Sequence, residues 1–176
     1  ARTGLANVVN NLSEPASFVN GLLQAKPKSA AISLGRFVLN STVGLFGLFD
    51  VATRIDLHTQ DEDFNQTLAV WGVGDGGYLM VPAMGPTTTR GLVAGVVDGL
   101  YFPLGLLNSN LTITRFTLSA LDGREQMMSM EQLLNESVDP YAFIKEAYFQ
   151  RVEFKIYDGN PPQKEEDEEY LDEYLP

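Results

Sequence analysis

The stretch DFNQTLAVWGVGDGGYLMVPAMGPTTTR, from Asp63 to Arg90, decides how this chain folds. Its 28 residues include the only tryptophan, five glycines and two prolines. Glycine adopts backbone angles that other residues resist, while proline fixes φ and removes an amide donor. The composition therefore predicts a shaped, irregular stretch that joins two more regular halves.

Short regular elements are expected at both ends of this stretch. Asp63 and Gln66 have the spacing of a capping box, which predicts a short helix from Phe64 to Trp71. A threonine among residues 87–89 is expected to cap the next helix, which runs to about Phe102. Residues 78–81 are too few and too uniformly apolar to assign, and we predict no β-hairpin.

The segment Gly72–Gly77 matches the pattern GxGxxG. That pattern cradles pyrophosphate only when a strand precedes it and a helix N-terminus follows it. Here a predicted helix precedes the glycines and Pro82 follows within five residues. Nucleotide binding is therefore not predicted.

The half of the chain before this stretch reads as three helices. A first amphipathic helix is predicted from the spacing of Leu5, Val8, Val9 and Leu12. The segment Ser13–Pro15 is expected to end this helix and to begin a second one. Lys26-Pro27 should close the second helix, and Ser29 should cap the third.

The half after this stretch is also predicted to be helical. One helix is expected from Leu111 to Leu134 with an interruption near Asp122, and Asp139-Pro140 should begin a last helix that reaches Val152. The predicted fold is all-α, a compact array of amphipathic helices with a Gly/Pro-rich central loop. We expect one domain over residues 1–160 and an acidic tail over residues 161–176.

Charge and composition exclude several protein classes. The net charge is −11, and seven of the 23 acidic residues lie between Lys164 and Pro176, so no basic nucleic-acid footprint exists. Without cysteine there is no disulfide and no thiolate metal site. The stretches Phe37–Phe49 and Gly91–Leu107 mix small residues with large apolar ones, which is compatible with buried core helices or with helices lying partly in lipid.

Two arginines stand in otherwise uncharged helical runs and require partners. Arg36 is the only charge between Ser29 and Phe49, so it pairs either with a carboxylate such as Asp50 or with an external anion such as a lipid phosphate. Arg115 in LTITRFTLSAL either snorkels to water or lies beside an amphiphile's headgroup.

Catalytic and metal motifs are lacking. His58 is the only histidine, and the sequence has neither an HExxH motif nor a GxSxG elbow. A hydrolase would have to use paired carboxylates, for which no motif supplies support. We predict neither enzymatic activity nor a metal or cofactor.

Four ordered motifs resemble the VacJ/MlaA family of outer-membrane lipoproteins. They are NNLSEPASFVNGLLQAKP (Asn10 to Pro27), RFVLNSTVGLFGLFDVA (Arg36 to Ala52), EDFNQTLAVWGVGDGGYLMVPAMGPTTTR (Glu62 to Arg90) and SVDPYAFIKEAYFQR (Ser137 to Arg151). The resemblance extends over about residues 1 to 158. The family's signature loop corresponds to Trp71, Gly72, Gly74, Gly77, Tyr78, Pro82, Gly85 and Pro86.

The resemblance implies a function without catalysis. The family's helices are expected to form a ring in the periplasmic leaflet of the outer membrane around an amphipathic channel. Phospholipid misplaced in the outer leaflet would pass through this channel to the periplasmic carrier MlaC, which begins retrograde transport. The expected membrane partner is a trimeric porin. The phospholipid is the transported ligand. Candidate channel and headgroup residues are Arg36, Asn40, Ser41, Thr42, Arg90 and Arg115.

This sequence departs from the family's pattern in several places. The lipobox cysteine and an N-terminal segment are not present, so we expect a processed or truncated chain without its lipid anchor. Gly91 replaces an Asp that commonly follows the arginine, so the resemblance does not by itself imply an Arg–Asp pair at Arg90. Phe46 replaces a smaller residue, and Val152 replaces a second arginine. The alternative function is a structural scaffold associated with porin that conducts no lipid.

Overall fold

The computed structural model describes residues 2–82, 84–100, 117, 128 and 137–162. Its elements in chain order are α1 (Arg2–Leu23), α2 (Pro27–Thr42), a 3₁₀ helix (Ala52–Ile55), α3 (Phe64–Val70), β1 (Tyr78–Val81), β2 (Gly85–Thr88), α4 (Thr89–Leu100) and α5 (Pro140–Ile156). The protein is mostly helical, which confirms the predicted fold class.

Helices α1 and α2 form an antiparallel pair. Gly21 of α1 crosses α2 so closely that a Cβ there would lie 3.0 Å from the backbone nitrogen of Ala30. Farther along, Glu14 meets Arg36, and Asn11 meets Ser41. A small residue at the crossing therefore brings two polar helix faces into contact along their length.

Helix α1 continues through Pro15, so the predicted break there is wrong. The Ser13 hydroxyl does not cap a helix but donates to the carbonyl of Val9 at 3.2 Å. Proline removes one helical hydrogen bond and crowds the preceding turn. The buried ion pair between Glu14, directly before the proline, and Arg36 of α2 attaches the helix to its neighbour at this defect.

The predicted start of α2 is also wrong. The helix begins at Pro27, which occupies the first turn, where its missing N–H matters least. Ser29 lies inside the helix, and its hydroxyl donates to Glu62 Oε1 at 2.8 Å. The Ser29 side chain, which local preference would place at a helix cap, thus forms a tertiary hydrogen bond instead.

Residues 64–88 contain a helix and a hairpin. Asp63 accepts from the Gln66 amide at 2.9 Å, which confirms the N-cap of α3, whereas the Gln66 side chain donates to the Asp61 carbonyl. Strands β1 and β2 pair antiparallel, from Tyr78 opposite Thr88 to Val81 opposite Gly85. The expectation that no hairpin exists is therefore wrong. Strands of four residues are too short for a period of two to be visible.

The caps of α4 and α5 agree with the predictions. Thr88 accepts from the Gly91 amide at 3.2 Å, and Asp139 accepts from the amides of Tyr141 and Ala142. An aromatic cluster then joins β1 to α5, because the Tyr78 ring lies 5.8–5.9 Å from the rings of Tyr141, Tyr148 and Phe149. Of the helix predicted over residues 111–134, only Thr117 and Met128 are described, and both are helical. The acidic tail lies outside the described residues beyond Pro162.

The interior of the described protein is polar. Only four apolar residues in those ranges are buried, and all are alanines: Ala16, Ala30, Ala52 and Ala94. The buried polar and charged residues are Asn11, Glu14, Ser17, Asn20, Gln24, Ser29, Ser33, Arg36, Asn40, Glu62, Gln66, Thr67, Thr88 and Arg90. This is the reverse of the usual distribution in a water-soluble domain.

Candidate functional site

Arg36 lies at the centre of a buried ion cluster between α1, α2 and the 3₁₀ helix. Its Nε donates to Glu14, and its Nη2 lies 3.2 Å from Asp50 Oδ2. Its Nη1 donates to the Thr53 hydroxyl at 3.0 Å and to the Leu57 carbonyl. The carboxylate partner Asp50, one of the two alternatives from the sequence, is confirmed, and Glu14 is a second partner.

The electrostatics of this cluster follow from burial and pairing. Burial raises the pKa of Glu14, and Arg36 offsets only part of that effect. Burial would also raise the pKa of Asp50, but hydrogen bonds from Thr53, Asn40 and Arg36 prevail and lower it to about 2. The pKa of Arg36 is raised, because the two carboxylates outweigh its desolvation. The cluster contains one fully ionised cation and a strongly acidic Asp50.

The other polar candidates on α2 also have protein partners. Asn40 donates to Asp50 at 3.1 Å and accepts from the amides of Val51 and Ala52. Ser41 accepts from Asn11 at 2.9 Å, and Thr42 bonds back to the carbonyl of Val38 at 2.7 Å. Asn11 and Asn40 therefore hydrogen-bond to neighbouring elements of the protein.

A second buried network joins α1, α3 and α4. The Asn20 amide donates to Asp98 Oδ1 at 3.1 Å, and its oxygen accepts from the Thr67 hydroxyl at 2.9 Å. Gln24 donates to the same hydroxyl at 3.2 Å. Asp98 also accepts from the Phe64 amide, at the first turn of α3, where a negative charge is favourable.

Arg90 fastens the glycine-rich loop to α3 and α4. Its Nε donates to Asn65 Oδ1 at 2.8 Å, and its Nη1 donates to the Val73 carbonyl at 2.7 Å. Its Nη2 lies 2.6 Å from Asp75 Oδ1. An Arg–Asp ion pair therefore exists although Gly91 replaces the usual neighbour, because Asp75 reaches the guanidinium from within the loop.

The signature loop is shaped by its backbone and attached by side chains. Gly72 and Gly85 have φ of +85° and +84°, in the region that favours glycine, and the Gly77 amide donates to the Thr89 hydroxyl. Trp71 is 55% exposed, yet its indole N–H donates to the Leu23 carbonyl at 3.1 Å. Pro82 is exposed, and Pro86 pairs with Met80 in the hairpin. The glycines precede a strand, which is incompatible with a pyrophosphate-binding helix turn.

Large apolar side chains cover the outside of the described protein. They project from α1 (Leu5, Leu22, Leu23), α2 (Leu34, Val38) and α4 (Val93, Val96, Leu100), and also from residues 43–49, residues 70–80 and Met84. No helix in the described ranges is both long and apolar enough to cross a bilayer. Apolar surface of this extent marks an interaction site for lipid or protein.

An open amphipathic pocket of about 640 Å³ adjoins this surface. Leu48 and Phe49 form its apolar side, and Asp50, Thr53 and Arg54 contribute polar groups, with the N-terminal turns of α1 completing it. The arrangement suits a molecule with one charged and one apolar end. By contrast, no His, Asp and Glu side chains within the described residues form a group able to hold a metal ion.

Sequence reasoning missed Glu14, Asp75 and Asp98 as functional partners of the cations and amides. Polar residues at helical spacing were nevertheless visible on α1: Asn7, Asn11 and Glu14 share one side of the helix, and Asn20 and Gln24 share another. A polar stripe on a helix ordinarily faces water, so burial was not inferred from it. Arg115 lies outside the described residues, and its place stays a prediction.

Comparison with known proteins gives consistent matches. The family model described as MlaA lipoprotein matches residues 1–155. Over 164 residues the chain is 36% identical to the intermembrane phospholipid transport system lipoprotein MlaA of Haemophilus influenzae, covering 89% of this chain and 64% of that relative. Over 157 residues it is 38% identical to the protein of the same name from Escherichia coli K12, with 88% and 62% covered. The chain thus spans less than two thirds of the length of these relatives.

A solved structure shares the fold. It was described under the heading "Structural basis for maintenance of bacterial outer membrane lipid asymmetry". The two chains are 36% identical and superpose with a TM-score of 0.81, covering 89% of this chain and 80% of the other. The two chains therefore resemble each other in sequence as well as in backbone shape.

Proposed function

Because the chain belongs to the MlaA lipoprotein family, we propose that it takes part in intermembrane phospholipid transport. In this proposal it removes phospholipid misplaced in the outer leaflet of the outer membrane and passes it to a periplasmic lipid carrier. Such transport is retrograde and maintains the lipid asymmetry of the membrane. It moves lipid without chemical change, and it requires neither an enzyme nor a cofactor.

The observation that supports this function is the inverted distribution of polar and apolar side chains. Among the described residues, fourteen polar or charged side chains are buried, whereas the buried apolar residues are four alanines. Large residues such as Phe46, Leu100 and Val96 are 84%, 72% and 67% exposed. In water this surface would aggregate, whereas in hydrocarbon it is the favourable outside.

Small residues on the helices suit the same environment. Gly21 allows the close crossing of α1 and α2, and Asn11, Asn20 and Asn40 supply hydrogen bonds between elements. Helices associate in lipid through close packing and interhelical hydrogen bonds, because lipid tails are as apolar as leucine. The α1–α2 pair has both features, which favours a body lying within one leaflet over one that merely touches a membrane.

For lipid passage we propose an amphipathic channel through a ring of helices. Arg36, Asn40, Ser41 and Arg90 bond protein groups, which favours a role in holding the channel wall in shape. Arg115 stays a candidate for headgroup contact. The pocket beside Arg54 offers a second place where a phosphate could meet a cation next to apolar side chains.

The test is lipid transfer from a membrane. The protein, reconstituted in vesicles with a trimeric porin, is mixed with the periplasmic carrier, and labelled phospholipid is followed from vesicle to carrier. We expect transfer that depends on the protein. An Arg115→Glu variant that is folded but slower would assign Arg115 to headgroup contact, whereas unchanged transfer would remove it from the candidates.

The same experiment separates transport from scaffolding. A porin-associated scaffold would co-purify with porin and leave labelled lipid in the vesicle. Absence of transfer from membranes that contain the folded protein and porin would refute the proposed function. Turnover of the lipid during the assay, lost on replacing single Asp or Glu residues, would instead indicate a hydrolase.

A further inference from the structure

The segment Val43–Phe49, hereafter the apolar turn, follows α2 and projects from the body. Val43, Leu45 and Phe46 are 63%, 60% and 84% exposed, and Leu48 and Phe49 are 43% and 49% exposed. None of its seven residues, VGLFGLF, is charged or carries a polar side chain. An irregular segment in contact with water ordinarily contains polar residues.

Most backbone amides of the apolar turn are hydrogen-bonded within the protein. Six of its seven amides donate to carbonyls of the turn or of α2 within the described structure: Val43 and Gly44 to Leu39, Phe46 to Ser41, Gly47 to Asn40, Leu48 to Leu45, and Phe49 to Gly44. The Leu48 carbonyl in turn accepts from the Asn7 side chain at 3.2 Å. A loop facing water has no need of this degree of internal bonding, since solvent can satisfy its amides.

Two consecutive residues adopt an unfavourable backbone conformation that makes these hydrogen bonds possible. Leu45 and Phe46 have φ of +52° and +58°, in the left-handed region that non-glycine residues rarely occupy, and Gly47 follows at +89°. The winding brings the Phe46 and Gly47 amides back onto α2 and points the two apolar side chains outward. Backbone strain of this kind persists where the surrounding structure imposes it and where function uses it.

The apolar turn is also fixed to the rest of the protein. A Cβ on Gly47 would lie 2.7 Å from Asn11 Cβ, and one on Gly44 would overlap the carbonyl oxygens of Asn40 and Phe49. The turn therefore packs against α1 and closes on itself without space for a side chain at either glycine. Its outer residues are held in place before any partner arrives.

These features favour hydrocarbon over water as the environment of the apolar turn. Within a membrane, irregular backbone is tolerated only where its polar groups are satisfied within the protein. Six of the seven amides of the turn meet this requirement and the turn has no charge, whereas the similarly exposed Ile55 lies between Arg54 and Asp56. We propose that the apolar turn inserts into the acyl-chain layer of a phospholipid monolayer, with Phe46 at its deepest point.

The inference rests on the membrane location contained in the proposed function, and it adds which segment enters the hydrocarbon. The protein lacks cysteine, so single cysteines can be introduced without other changes. Phe46→Cys and the control Ile55→Cys are labelled with a nitroxide, and the chain is reconstituted in vesicles of phosphatidylethanolamine and phosphatidylglycerol. Accessibility to oxygen, which partitions into hydrocarbon, is then compared with accessibility to a water-soluble nickel chelate.

We expect the label at position 46 to collide more often with oxygen and the label at position 55 to collide more often with nickel. Greater nickel access at position 46 would overturn the proposal. So would a label at position 46 shielded from both reagents, because that result would place the turn in a pocket of a protein partner or of a second copy. Failure of the chain to associate with these vesicles would also count against it.

A second measurement uses a variant that preserves the backbone. Asparagine accepts left-handed φ, so Phe46→Asn keeps the shape of the turn and replaces an apolar tip by a polar one. We expect the variant to have an unchanged circular dichroism spectrum in detergent and a vesicle partition coefficient lower by about tenfold. Ile55→Asn is the matched control and should alter partitioning by less than about twofold. Equal losses in both variants would refute a special role for Phe46.

The two proposals fail separately. Loss of lipid transfer with the label at position 46 still in hydrocarbon would refute transport and leave the insertion intact. Normal lipid transfer with the label at position 46 in water would refute the insertion and leave the transport function intact.

Discussion

Replacing Arg36 by methionine removes the only cation that contacts two carboxylates of the buried cluster. Arg36 and Glu14 each have 2% of the side chain exposed, and Asp50 has 30%. Methionine fills much of the volume of the arginine stem but leaves Glu14 without an opposite charge. The variant therefore tests whether Arg36 serves the fold or an external anion, the two alternatives that its sequence context left open.

The size of the effect follows from burial. Removing one partner of a buried ion pair destabilises a protein by about 3–5 kcal/mol, because the remaining charge stays desolvated. For a protein of this length, about 1 kcal/mol corresponds to a change of about 2–4 °C in the melting temperature. We therefore expect Arg36→Met to lower the melting temperature by about 6–20 °C.

The measurement is thermal unfolding followed by far-ultraviolet circular dichroism in detergent micelles. The double variant Glu14→Gln/Arg36→Met provides the control, because it removes the charge that the single variant leaves buried. It should recover about 0.5–3 kcal/mol relative to Arg36→Met alone. Arg36→Lys should be intermediate, since lysine retains the charge without the planar fork that reaches Glu14, Thr53 and Asp50.

A melting temperature within about 2 °C of the parent would refute this reasoning. If Arg36→Met were equally stable and lost lipid transfer, Arg36 would be a headgroup contact and its ion pairs would be incidental. If the double variant were no better than the single one, the loss would come from packing and not from the unpaired carboxylate.

Three further predictions concern pH, a half-buried carboxylate and glycine. The pKa of Asp50 is lowered from 3.8 to about 2, so its ionised form stabilises the fold fully above pH 3.8, and this stabilisation is lost as the pH falls towards 2. In acid unfolding curves, the Asp50→Asn variant should therefore lack this part of the pH dependence. The pKa of Glu14 is raised, so its contribution runs the other way, and the difference between Asp50→Asn and the parent isolates Asp50. Asp98→Ala leaves an asparagine of α1 and the first amide of α3 without their acceptor, and should lower the free energy of unfolding by about 1–3 kcal/mol in urea titrations. Gly44→Ala should destabilise the protein strongly because its Cβ would overlap backbone oxygens, whereas Gly95→Ala in α4, with open space around it, should stabilise it by up to about 1 kcal/mol; melting temperatures that change equally would contradict this contrast.

Local signals in the sequence were sufficient for the elements whose ends are set by neighbouring residues. Asp63 caps α3, Thr88 caps α4 and Asp139 caps α5, because in each case a side-chain oxygen meets an amide two or three residues ahead. Such bonds depend on spacing along the chain alone. The family's motifs likewise identified the fold class before any distances were known.

Predictions failed where contacts between distant residues outweigh local preference. Pro15 reads as a helix boundary, yet the ion pair from Glu14 to Arg36 connects residues that are 22 positions apart and attaches α1 to its neighbour at this point. Ser29 reads as a cap, yet Glu62 takes its hydroxyl. The hairpin was missed because four-residue strands have no measurable alternation.

The candidate cations were located by sequence, and so was Asp50 as one partner of Arg36, but the other partners were not. An arginine in an apolar run predicts only that some anion is near it. Asp75 and Glu14 lie in segments that read as loop and as helix boundary, so neither was expected to reach Arg90 or Arg36. The placement of Asp98, which is visible in sequence as an isolated charge, depends on how α4 packs on α1 and α3.

The polar interior has a consequence for how the chain reaches its folded state. Collapse in water is driven by removing apolar side chains from solvent, and in the described part of this protein many large apolar side chains stay exposed. Its buried ion pairs and amide bonds contribute little net free energy against the hydration that they give up. We therefore expect the surrounding medium to supply part of the driving force, so that refolding from denaturant proceeds well only when lipid or detergent is present to solvate the exterior.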